Sequence, residues 1–128
     1  MFLIAAKLTA PPGVQIPVII QQQPLNNYEA IWQAVCQVES NCNPWAVNYE
    51  KGGFSCGISQ IRQCRIDHYN QLSTNCVQLD DVFDPEISKE IFMFFAHRIG
   101  NEDKLIKAWN GAGEQTYHYL SKVRRIME

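Results

Sequence analysis

The segment from Asp84 to Gly100 constrains the fold more than any other part of the chain. Asp84 can accept from the free amides of a helix start, Pro85 suits the first helical position, and Gly100 suits a left-handed helix end. Between them Ile87, Ile91, Phe94, Phe95 and Ile99 recur at helical spacing, which predicts a core helix with a buried aromatic and branched stripe. Other helices are expected to surround it. Asn27 is a good N-cap for a helix from Tyr28 to about Ser40, with Ile31, Val35 and Val38 on its buried face. Gly57 to Leu72 reads as helical in part, with Ile58, Ile61 and Tyr69 facing inward. Asn101 caps a short helix through Trp109, Asn110-Gly111-Ala112-Gly113 is a tight turn, and Gln115 to Met127 is the last helix. Asn43-Pro44 and Gly52-Gly53 punctuate a long loop, and strand signals are scarce. The expected class is mostly α, a single compact helical domain over residues 27–128 with little or no sheet. Residues 1–26 read as an irregular arm, with Pro11, Pro12, Pro17 and Pro24, glutamines at 21–23, and a β-branched patch at Val18-Ile19-Ile20.

At 128 residues the chain fits one domain and needs no metal or disulfide staple to fold. Eleven Lys and Arg against 13 Asp and Glu give a net charge of −2, so a nucleic-acid partner is not expected. No apolar run reaches the roughly 18 to 20 residues of a transmembrane segment. The stretch from Met1 to Ala10 is interrupted by Lys7 and has no basic region before it, so it does not read as a secretory leader. Cys36, Cys42, Cys56, Cys64 and Cys76 contain no Cys-x-x-Cys pair, which disfavours zinc. Two disulfides with one free thiol and five free thiols both fit this pattern.

Glu39 falls in the last turn of the first helix, one turn from Val35 and directly after Val38. Desolvation and the negative end of the helix dipole both disfavour its charge there, as a general acid near neutral pH requires. Three further segments follow it in order. Glu39-Ser40 is succeeded by Asn43-Pro44-x-Ala46-Val47-Asn48, then by Gly57-Ile58-Ser59-Gln60-Ile61. Ala108-Trp109-Asn110-Gly111-Ala112-Gly113 then precedes Thr116-x-x-Tyr119-x-x-x-Val123.

In this order the chain resembles the catalytic domain of the soluble lytic transglycosylases, the lysozyme-like α+β fold of glycoside hydrolase family 23. The likeness runs from about Tyr28 to Val123. That family carries Glu-Ser at a helix end with Asn-Pro-x-Ala after it, a Gly-Leu-Met-Gln segment, an Ala-Tyr-Asn-Ala-Gly turn, and a tyrosine four residues before a valine. Departures are Ile58-Ser59 for Leu-Met, Trp109 for tyrosine, a longer loop from Tyr49 to Cys56, and the cysteines.

The resemblance implies a peptidoglycan lytic transglycosylase with a substrate cleft, cutting glycan strands between N-acetylmuramic acid and N-acetylglucosamine and leaving a 1,6-anhydro ring. It implies Glu39 as the one catalytic acid and base, with no metal and no cofactor. Ser40, next to the acid, is implied to orient or hydrogen-bond near it, and Gln60 and Asn110 to hydrogen-bond sugar groups. Tyr119 is implied to hold the Glu39 carboxyl, and Trp109 either to stack on a sugar or to pack. Ile58 and Ser59 complete the implied substrate segment. Gly57 and Gly113 read as positions of close backbone approach or positive φ. Asp67, Asp80, Asp81 and Asp84 are the second carboxylates available to a hydrolase, and none matches a family catalytic position.

The alternatives are a lysozyme or phage endolysin acting on the same bond, a chitin-directed glycosidase, and a non-catalytic glycan-binding structural subunit. Expected settings are the cell envelope, the periplasm or a virion, with residues 1–26 docking the domain on a larger virion, secretion or conjugation assembly.

Overall fold

The structure is a computed structural model that describes Gly13 and residues 27–50 and 52–128. The arm proposed for residues 1–26 therefore lies outside the described residues, Gly13 apart. Along the chain come α1 (Tyr28–Ser40), β1 (Val47–Glu50), β2 (Gly53–Cys56), β3 (Ile61–Arg62), α2 (Gln63–Ser73), a 3-10 segment (Leu79–Phe83), α3 (Pro85–Ile99), α4 (Glu102–Asn110) and α5 (Gln115–Met127). The fold is mostly α with one small antiparallel sheet of order β1-β2-β3. Among the described residues, no helix is long and apolar enough to cross a membrane.

Local chemistry sets the helix boundaries. The Asp84 carboxylate accepts from the Glu86 N–H at 2.9 Å, Pro85 opens α3, and Gly100 closes it at φ 71°. Asn101 accepts from the Lys104 N–H at 2.9 Å and opens α4. Asn27 behaves differently from the expectation. Its side chain makes no capping bond, and its backbone N–H instead donates to Glu102 Oε2 at 2.9 Å, tying the start of α1 to the start of α4.

The core gathers Ile31 and Val35 of α1, Ile61 of β3, Ile66 of α2, Ile91 and Phe92 of α3, Leu105 and Ile106 of α4, and Val123 of α5, all fully buried. The α3 stripe is rotated from the expected one. Ser88, Ile91, Phe92, Phe95 and Ala96 are buried, while Ile87, Phe94 and Ile99 are only partly so. Ser88 can face the core on this side because its hydroxyl donates to the Val82 carbonyl at 2.7 Å, which leaves no unpaired group.

The loop expected between Tyr49 and Cys56 is a hairpin, and the helix expected from Gly57 starts only at Gln63. Cross-strand partners are Val47 with Cys56, Asn48 with Ser55, Tyr49 with Phe54, and Glu50 with Gly53. Opposed residues share a face, so Asn48, Glu50 and Ser55 lie on one side of the hairpin. Val47, Tyr49 and Phe54 lie on the other, solvent-exposed, with the Tyr49 and Phe54 rings 5.0 Å apart. Gly57 makes the turn at the hairpin foot possible. Its φ is +84°, and a Cβ there would sit 2.4 Å from the Val82 carbonyl oxygen. All five cysteines are free thiols, and burial pushes the Cys36 thiol up to about 12.

Candidate active site

The last turn of α1 presents Glu39, and the chain then reverses through Asn41 and Cys42, both at positive φ. The Ser40 hydroxyl fixes that reversal. It donates to the Ile58 carbonyl at 2.7 Å and accepts from the Asn43 N–H at 3.0 Å. Asn43 Oδ1 accepts from the Trp45 N–H at 3.0 Å, and the Ala46 carbonyl accepts from the Gly57 N–H at 2.8 Å. These bonds stand the hairpin beside the end of α1. A cleft of about 520 Å³ opens between the hairpin and the end of α4.

Glu39, Asn48, Glu50, Gln60, Arg65, Trp109 and Asn110 line the cleft, together with Ser55, Arg62, Cys64 and Gly111. Glu39 is half-buried, and Tyr119 of α5, 6% exposed, donates its hydroxyl to Glu39 Oε2 at 2.6 Å. Burial raises the Glu39 pKa above the ordinary carboxylate value, and nearby Glu50 adds to the rise. The Tyr119 hydrogen bond and the charges of Arg65 and Lys122 work against it, and burial prevails. The Tyr119 phenol is pushed far up by burial and by the carboxylate beside it, so it remains a donor. The pair can therefore keep a proton on Glu39 to higher pH than a solvated glutamate would, with the carboxyl oriented toward the cleft.

The other residues singled out from sequence divide into two sets. Asn110 is exposed at the end of α4, with its amide available at the cleft. Gln60, at φ 56°, is engaged within the protein. Its Nε2 donates to the Ala46 and Gly57 carbonyls at 3.2 and 3.0 Å, and its Oε1 accepts from Asn48 Nδ2 at 2.8 Å. Gln60 thus braces the hairpin foot and leaves Asn48 as the exposed amide on that wall. Ser40, Ile58 and Ser59 do not line the cleft. Ser59 is fully buried with no hydrogen-bond partner for its hydroxyl, and its carbonyl accepts from Trp109 Nε1 at 3.2 Å. Trp109 is 6% exposed, has the Arg65 guanidinium 4.1 Å from its ring centroid, and meets Phe92 edge-on. Of its two expected roles, packing is the one this environment supports.

Asp67, Asp80, Asp81 and Asp84 are absent from the cleft, and Glu50 is the second carboxylate there. Neither Glu50 nor Arg65 was singled out from sequence. The signal that could have found Glu50 is its place in an Asn48-x-Glu50 alternation, which puts both side chains on one face of a strand. Among the described residues, no cluster of three or more His, Cys, Asp or Glu is placed to hold a metal ion. Neither the scan of family models nor the searches of curated proteins and of solved structures returned a match for this chain.

Proposed function

We propose that this protein is a peptidoglycan lytic transglycosylase in which Glu39 serves as both acid and base. The Glu39 proton passes to the glycosidic oxygen as the bond from that oxygen to C1 of N-acetylmuramic acid breaks, and the bond electrons leave with the oxygen. The oxocarbenium-like centre is then attacked by the C6 oxygen of the same sugar. The Glu39 carboxylate removes the C6 hydroxyl proton, which closes the 1,6-anhydro ring and restores the acid. The observation that carries the reading is the half-buried Glu39 in a cleft, with the Tyr119 hydroxyl on its carboxyl at 2.6 Å and amides of Asn48 and Asn110 nearby. One carboxyl that gives and then takes a proton is what this chemistry asks of a protein.

Glu50 favours a second reading. A hydrolase of the lysozyme type needs a second carboxylate in the cleft, as nucleophile or as base for a water. Glu50 lies on the hairpin wall, exposed and 3.9 Å from Arg62. The test is digestion of purified sacculi by wild type, Glu39→Gln and Glu50→Gln, with the released fragments read by mass spectrometry. The proposal expects anhydromuropeptides, lighter by one water than reducing-end fragments, from wild type and Glu50→Gln and none from Glu39→Gln. Reducing-end products that vanish with Glu50→Gln would establish the lysozyme or endolysin reading. Folded protein without products would point to a glycan-binding structural subunit, and products from chitin oligomers alone to a chitin-directed enzyme.

An enzyme of this kind acts at the cell envelope, in the periplasm or from a virion. Residues 1–26 are the segment proposed to dock it on a virion, secretion or conjugation assembly. Unchanged assembly and localisation after their removal would overturn that docking role.

A further inference from the structure

Arg65 stands in the cleft as a charge without an ion pair among the described residues. It is half-buried on the first turns of α2, and among the described residues no carboxylate lies within salt-bridge distance of it. Its Nη2 donates to the carbonyls of Ala108 and Trp109, both at 3.1 Å, at the C-terminal end of α4. The guanidinium plane lies over the Trp109 ring at 4.1 Å and within 5.6 Å of the Phe95 ring centroid. Carbonyls at a helix C-terminus carry partial negative charge, and an aromatic face attracts a cation, so both contacts hold the charge in place without neutralising it. A guanidinium stays protonated in such a setting. A cation fixed on the cleft wall serves the structure alone, or it serves whatever charge forms in the cleft.

Glu39 lines the same cleft. Tyr119 and Lys122 of α5, Glu50 of β1 and Arg65 of α2 are the titratable and charged groups that act on that carboxyl, which in turn raises the Cys36 thiol of α1. Among them Tyr119 supplies a hydrogen bond, Lys122 is exposed and screened by water, and Glu50 opposes ionisation. Arg65 is the cation locked by protein contacts. Building on the reading of Glu39 as acid and base, we infer that Arg65 is a positioning residue that sets how readily the Glu39–Tyr119 pair gives up its proton, by holding a fixed positive charge in the cleft that Arg65 and Glu39 both line. The same tether links that charge to Ala108 and Trp109, directly before Asn110 at the cleft edge.

The test is a pH titration of the Glu39 carboxyl carbon by NMR in the full chain, with Glu39→Gln identifying the resonance. Wild type is compared with Arg65→Met, Arg65→Gln and Arg65→Lys. Loss of the cation should move the Glu39 midpoint upward in the Met and Gln variants, while Lys, which keeps a positive charge, should move it less. The alkaline limb of any lytic activity should move with it. An unmoved midpoint in a folded Met or Gln variant overturns the inference. Unfolding of both, with Arg65→Lys folded and active at the wild-type pH limit, would make Arg65 a fastener between α2 and α4 and also overturn it. The titration needs no turnover, so an inactive wild type would sink the transglycosylase reading and leave this measurement interpretable.

Discussion

Replacing Tyr119 by phenylalanine removes one hydroxyl from a buried ring and nothing else. That hydroxyl donates to Glu39 Oε2 at 2.6 Å, a short bond to a group that carries charge when ionised. A hydrogen bond to a charged acceptor contributes about 1.5 to 3 kcal/mol, against about 0.5 to 1.5 for a neutral one. The difference favours the ionised carboxylate by about 1 to 1.5 kcal/mol, which corresponds to about one pH unit. Tyr119→Phe should therefore raise the Glu39 midpoint by about one unit. The sign for stability follows from the direction of the wild-type shift. The folded chain holds the Glu39 proton more tightly than the unfolded chain, because its pKa lies above the ordinary 4.5. Glu39 thus costs no stability below that value, and the cost grows as pH rises through the folded pKa. In Tyr119→Phe this decline should continue about one unit further up the pH scale. The loss of stability relative to wild type should then be about 1 to 1.5 kcal/mol greater at alkaline than at acid pH. Urea unfolding from pH 4 to 9 measures this directly. A loss of equal size at both ends, or a Glu39 midpoint at or below that of wild type, would refute the reasoning.

Glu39→Gln should abolish product formation from sacculi and remove the Glu39 contribution to the fall of stability with pH, leaving the protein at least as stable as wild type at pH 8 by urea unfolding. Ser59→Ala should leave lytic activity unchanged and stability equal or slightly higher, because the hydroxyl it removes is buried and unpartnered; a large loss of activity in a folded protein would return Ser59 to the substrate-binding set. Gly57→Ala should destabilise by about 3 kcal/mol or more, from the positive φ together with a 2.4 Å approach to a backbone carbonyl that cannot rotate away. A thermal melt within two degrees of wild type would show that the turn relaxes instead.

Helix boundaries were legible wherever a single side chain or glycine sets them. Asp84, Pro85, Gly100 and Asn101 act within a few residues of themselves, so their sequence carries the outcome. The hairpin was not legible, because its first strand is exposed throughout and shows no buried alternation. Its pairing depends on the reversal after α1 and on Gln60, which holds two carbonyls and the Asn48 side chain from twelve or more residues away along the chain for all but Gly57. Gly52-Gly53 marked a loop correctly as punctuation, yet the stretch it divides is two strands. In the site, Glu39 and Tyr119 stood out through the family-like order of segments. Gln60 matched the same pattern, yet its amide is spent on the fold. Arg65 had no signal at all, since a charged residue early in a polar helix reads as a solvated face, and its partners at Ala108 and Trp109 come from a distant segment.

The first strand of the hairpin wall has water on both sides. All four residues of β1 are exposed, so the strand draws little stability from apolar burial. Beyond its pairing with β2, it is held at its base through Ala46, Gly57 and Gln60, and at its tip by Arg62, whose Nη2 donates to the Glu50 carbonyl at 3.1 Å. Segments with few buried contacts open at low free energy, while core helices open near the global limit. The cleft therefore has one compliant side and one stiff side. Glu39, Tyr119 and Arg65 all belong to the stiff side, so under the proposed function a glycan strand would pass a yielding wall while the geometry of proton transfer stays fixed.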